Sequence, residues 1–269
     1  MVRGIANSKI GFGDLILLLR YFFKLKVSTH PNLISLKNMD FDSTTQLPTK
    51  LLNKISEVIS VDPNDIVKDA QSKGLPISKI EDFTTEIICK NYRRIEDISG
   101  SYGNYAARNN AVTGLASGVG GAVTMVTIGS VDIVNMAAQL YRLNQRVAYL
   151  NGFDPNNPHD AELAREIYLF SLGFDKAAVA GVQAMMNRAA QIAGKSGAKS
   201  NPVLKLIMIV ASKLAPKMTT KQAAKFIPVV GGILGGGINF AFAKYASSEI
   251  QKRYKEEFFR KMQTESINS

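Results

Sequence analysis

The sequence predicts an all-α fold, a helical bundle with two glycine-rich apolar helices packed closely and essentially no β-sheet. Three observations point there. Apolar residues recur at three- and four-residue intervals along most of the 269 residues, as one buried helix face requires. No stretch alternates with period two between hairpin signals. Two segments, residues 111 to 131 and 226 to 243, carry no charge and hold five glycines each. A fixed-period internal repeat is absent as well.

Taken in order, residues 1 to 26 read as an amphipathic helix over Asp14 to Lys26, with Leu15, Leu18, Leu19 and Phe22 on one face. Asp14 and Arg20 bracket the apolar run and no small-residue cleavage site follows, so a secretory signal is not expected. Residues 27 to 46 are polar, contain Pro31 and read as a linker. A small helical extension covers 47 to 76. There Leu51, Leu52, Ile55, Val58 and Ile59 share a face, Asp62-Pro63 opens a second helix, and Gly74 ends it. The main helical domain spans 77 to 262, followed by a tail at 263 to 269.

Within that domain, Ile80, Phe83, Ile87, Ile88, Tyr92, Ile95 and Ile98 predict one long helix, capped by Ser78 with Glu81 completing a capping box. A break is expected at Gly100 to Gly103. Helical spacing resumes through the first glycine-rich segment to Asn151-Gly152, with Pro155 beyond. His159 to Gly173 predicts a helix in which Asp160 caps. Asp175 opens another that closes at Gly194, and residues 194 to 202 read as a basic loop. Val203 to Leu214 is an apolar helix; Thr219 or Thr220 caps the following turn, and Pro228 starts a final helix running to Met262.

Glycine inside a helix costs about 1 kcal/mol relative to alanine, so five per segment demand compensation. Close helix packing supplies it. Gly114, Gly118 and Gly121 lie on one face of the first segment, and Gly231/Gly235 with Gly232/Gly236 form two GxxxG pairs in the second. Both segments have the length of a membrane span, yet they are poor in leucine and rich in Gly, Ser, Thr and Asn. Burial in a helical domain or docking on a bilayer therefore suits them better than crossing one. Asp132 and Asn239 are the polar residues at these segments, and Arg142 or Arg165 is a candidate partner for the Asp132 carboxylate.

Net charge is +11, and its distribution says more than its total. Residues 176 to 248 contain ten Lys or Arg and no Asp or Glu. Lys205, Lys213, Lys217, Lys221 and Lys225 form the densest part. Such one-signed chain attracts phosphates, and anionic lipid is favoured over nucleic acid because no aromatic interleaving or base-reading motif is present.

The stretch Gly114-Leu-Ala-Ser-Gly-Val-Gly-Gly, then Val131-Asp-Ile-Val, then Arg142 and Leu150-Asn-Gly-Phe-Asp, resembles the central part of EcsC family proteins. So does Lys225-Phe-Ile-Pro-Val-Val-Gly-Gly, with Gly237-Ile-Asn-Phe and a C-terminal helix carrying Tyr254, Phe258, Phe259 and Arg260. The resemblance covers about residues 81 to 262. It implies a bacterial helical protein named for an operon that also encodes an ABC transporter, without an established activity.

Catalytic chemistry finds no support in the motifs. HExxH, GxSxG, GxxxxGK[ST] and a Cys/His pairing are all missing. Cys89, the single cysteine, excludes an internal disulfide and reads as a small buried residue. His159, Glu162 and Glu166 have ligand-like spacing but read as a solvated helix turn, so neither a metal nor a cofactor is expected. Asp62-Pro-Asn-Asp65 lacks the glycine and glutamate of a calcium loop. The leading expectation is a non-enzymatic, membrane-associated protein, cytoplasmic and peripheral at the inner membrane face, whose partner is an anionic membrane surface or a membrane protein. The alternatives are a hydrolase built on Asp132 and a soluble interaction module of a transporter or toxin system.

Overall fold

A computed structural model of the chain describes residues 49–113, 125–196, 201–215 and 237–268. Among them lie nine α-helices and no strand: α1 (Thr49–Ile59), α2 (Pro63–Ser72), α3 (Thr85–Lys90), α4 (Tyr92–Thr113), α5 (Met125–Leu150), α6 (Pro158–Ser171), α7 (Lys176–Ser196), α8 (Pro202–Leu214) and α9 (Gly237–Asn268). A single 3-10 turn at Ile80–Asp82 precedes α3. The chain is all-α, as its periodicity predicts.

Helix α5 is the hub. Helices α1, α2, α4, α6, α8 and α9 all pack on it. Its inward residues Met136, Leu140, Val147 and Leu150 are fully buried, and Ala137, Ala138 and Ala148 between them let neighbouring helices approach. Each buried Leu or Ile contributes about 1.5–3 kcal/mol over its exposed state. Ile55, Ile66, Val67, Ala70 and Leu75 belong to the same continuous core. Residues 49–75 thus contribute to the same core as the helices that follow them.

Local chemistry sets many boundaries where the sequence places them. The Asp62 side chain accepts a hydrogen bond from Asn64 N at 2.9 Å, Pro63 occupies the first turn of α2, and Gly74 leaves it at φ +77°. Gly152 stops α5 at φ +72°. A side chain there would also meet Phe83 O at 2.9 Å, so glycine is required twice over. Asp175 Oδ1 accepts from Ala178 N at 2.8 Å and opens α7.

Elsewhere the structure corrects the expectation. Residues 80 to 98 do not form one helix capped by Ser78 and Glu81. Asp82 Oδ2 instead accepts from Ser78 N and Lys79 N at 2.7 and 3.1 Å, which holds its carboxyl below the usual range and tightens the 3-10 turn. Thr84 then caps α3, and the Asn91 amide, donating to Ile87 O at 2.9 Å, closes it before α4 begins. Gly100 to Gly103 is no break, because α4 runs through both glycines. Asn157 rather than Asp160 caps α6; Asp160 accepts from Asp154 N at 2.9 Å and ties the preceding loop. Helix α7 extends past Gly194 to Ser196, and α8 begins one residue early, with Asn201 as cap and Pro202 at its first position. The tail at 263 to 269 is helical through Asn268. Cys89 is exposed, not buried. The expected Asp14–Lys26 helix, the 27 to 46 linker, the Thr219 or Thr220 cap and the Pro228 helix start lie outside the described residues.

Candidate functional site

Only residues 197 to 201 separate α7 from α8, and the two helices pack together beside α5 and α6. Asn201 fixes the start of α8 by accepting from Val203 N and Leu204 N at 3.0 and 3.2 Å. Leu206, Ile207, Ile209, Val210 and Leu214 then bury one face of α8. That orientation turns Lys205 toward α7, where its ammonium donates to Ala189 O at 3.2 Å.

An open cavity of about 390 Å³ lies where these four helices meet. Tyr141 and Gln145 from α5, Arg165 from α6, Gln183 and Asn187 from α7, and Lys205 from α8 provide its polar groups. Met186, Ala190, Val203 and Leu206 supply an apolar wall. The polar groups are linked: the Arg165 guanidinium donates to Gln183 Oε1, and Gln183 Nε2 donates to Asn187 Oδ1 at 3.0 Å. Tyr141 stacks edge-on against Tyr168 with centroids 5.5 Å apart. Burial raises the Tyr141 phenol pKa, while the positive charge of Arg165 opposes the rise.

No carboxylate lines this cavity. Asp160 and Asp154 serve the loop before α6: Asp160 accepts from Asp154 N, and Asp154 Oδ1 from Asn156 N, both at 2.9 Å. The arrangement offers two cations, several amide dipoles and an apolar wall, which is the equipment for holding an anion with an organic body. It contains no nucleophile with an adjacent base.

The residues named from sequence fall in several places. Lys205 lines the cavity, and Lys213 sits in the last turn of α8, where it complements the helix dipole. Arg142 reaches Val58 O at 3.5 Å in the last turn of α1, and Arg165 is occupied by Gln183. Asp132 and Asn239 belong to α5 and α9, and their side chains lie outside the described ones. Gly114, Gly118, Gly121, Gly231, Gly232, Gly235, Gly236, Lys217, Lys221 and Lys225 also lie outside the described residues. His159, Glu162 and Glu166 are all exposed, and no group of three or more His, Cys, Asp or Glu side chains converges among the described residues.

Sequence reasoning missed Gln145, Gln183 and Asn187. A signal was present. Tyr141/Gln145 on α5 and Gln183/Asn187 on α7 are i,i+4 pairs, so each puts two polar groups on one helix face. No described helix is long and apolar enough to cross a membrane. Comparison of the chain with protein-family models, with curated proteins and with solved structures finds no match.

Proposed function

We propose that this chain is a non-enzymatic, EcsC-like helical protein that docks from the cytoplasm on an anionic membrane surface. One observation carries this reading: the described cations of the acid-free stretch, Lys176, Arg188, Lys205, Lys213 and Lys244, take part in no ion pair among the described residues. Among the described residues, ion pairs join Lys68 to Asp65, Lys90 to Glu86, Arg146 to Asp69, Lys255 to Glu96, and neighbours along α9 from Glu249 to Arg260. None includes Lys176, Arg188, Lys205, Lys213 or Lys244. Lys244 donates to the neutral Asn104 side chain, and Lys176 and Arg188 are exposed. With no acid in residues 176 to 248 and no ion pair to these five cations among the described residues, α7, α8 and the start of α9 carry a positive field. A membrane-protein partner with an acidic cytoplasmic face would meet the same field.

Each basic residue near an anionic bilayer contributes about 1 kcal/mol, and the attraction fades within a Debye length of about 10 Å at 0.1 M salt. Vesicle flotation tests it. The protein is expected to float with phosphatidylglycerol vesicles at low salt and to release as salt rises. Replacing Lys176, Arg188 and Lys213 together by Glu should weaken binding at least tenfold. A wild-type protein that stays at the bottom of the gradient at low salt refutes the reading.

A further inference from the structure

We infer that the cavity between α5, α6, α7 and α8 is a binding site for a phosphate monoester whose organic body lies on an apolar wall. This goes beyond surface docking and does not depend on it. Three features lead there, all in one place.

The first is charge. Arg165 and Lys205 both line the cavity, and neither takes part in an ion pair among the described residues. Each is held by a neutral acceptor, Arg165 by Gln183 Oε1 and Lys205 by Ala189 O. Two cations without a lining carboxylate suit a dianion better than a single carboxylate. A guanidinium offers a planar fork and an ammonium a point charge, and phosphate accepts from both.

The second is pre-organisation. The Gln183–Asn187 bond and the Arg165–Gln183 bond form a chain across the α6–α7 junction, so the fork arrives oriented rather than free. The Lys205 stem crosses from α8 to α7 with its ammonium already placed. Burial of part of both side chains reduces the water that competes for an incoming oxyanion.

The third is size and wall chemistry. A cavity of about 390 Å³ lies in the range of small-ligand pockets and exceeds what a bare phosphate would fill. Met186, Val203 and Leu206 give the remainder an apolar lining, with Met adaptable to a variable chain. The phosphate group has two sources of this chemistry, a lipid headgroup or a soluble monoester.

Calorimetry on the full chain decides the matter, with hexyl phosphate and dihexanoyl phosphatidate as probes, the latter below its micellar concentration. Saturable one-to-one binding of at least one probe is expected. Arg165→Gln and Lys205→Met should each weaken it at least tenfold, while Lys213→Met, which does not line the cavity, leaves it unchanged. Tighter binding of the phosphatidate assigns the site to a lipid headgroup, and tighter binding of hexyl phosphate assigns it to a soluble ester. Inorganic phosphate should compete with either, more weakly. No saturable binding of either probe overturns the inference, as does binding that both cavity variants retain in full. Thermal unfolding of the variants, unchanged within a few degrees, shows that a loss arises at the site. Flotation with phosphatidylglycerol vesicles, which carry no monoester, reports surface docking separately, so either proposal can fail alone.

Discussion

At the scale of single residues, the two glycines of α4 show how one residue type serves different ends. A Cβ on Gly103 would stand 2.1 Å from Ser247 Oγ and 2.7 Å from Gln251 Nε2, so glycine is what lets α4 and α9 approach. A Cβ on Gly100 would meet nothing within 4 Å. Gly100→Ala should therefore stabilise the protein by about 0.5–1 kcal/mol through helix propensity alone. Gly103→Val should destabilise it by about 1–3 kcal/mol, because Ser247 belongs to the facing helix and must give way. Urea unfolding of the two variants separates these outcomes; equal effects would mean that the α4–α9 contact is not tight at Gly103.

At the scale of elements, a polar tie joins three helices. Asp69 Oδ2 on α2 accepts from Arg146 Nη2 on α5 at 2.8 Å and from the Tyr102 hydroxyl on α4 at 2.7 Å. The Arg146 guanidinium also lies over the Tyr102 ring, 3.7 Å from its centroid. Arg146 keeps only 16% of its side chain exposed, so removing its partner leaves a largely buried charge uncompensated. Asp69→Ala is expected to cost about 1–3 kcal/mol, less than a fully buried pair because Asp69 itself is 46% exposed. Chemical denaturation measures it. Replacing Tyr102 by Phe in the same background should then cost little more, since its hydroxyl has already lost its acceptor.

At the scale of the whole molecule, the core is rich in tyrosine and its stability should depend on pH at the alkaline end. Burial raises the phenols of Tyr92, Tyr102, Tyr168 and Tyr254 above 10.0, and burial together with the Asp154 carboxylate pushes Tyr149 up to about 12. Below pH 10 these phenols are protonated in the folded and unfolded chain alike. Above it the unfolded chain loses protons that the fold retains, so each further rise favours unfolding. Stability should hold through neutral pH and fall from about pH 10 upward. Phenolate absorbance follows it cleanly because the chain has no tryptophan. Gradual ionisation of all nine tyrosines near pH 10, without loss of helical signal, would contradict the burial.

Much of the helix order was legible in advance, because a helix end is decided within one turn. Asp62-Pro63, Gly74, Gly152 and Asp175 act on backbone groups a few residues away, and each does in the fold what its chemistry predicts. Where two local signals compete, the sequence is ambiguous: Asn157 and Asp160 both suit a cap, and Asn201-Pro202 looks as much like loop as like helix start. Tertiary structure alone decided that Gly103 continues a helix, since its reason sits 144 residues away in Ser247. It alone brought Arg146 to Asp69, 77 residues apart, and Arg165 and Lys205 to one cavity. Periodicity tells a helix which face to bury, but the meeting of distant polar groups depends on crossing angles that the packing of all the buried faces sets together.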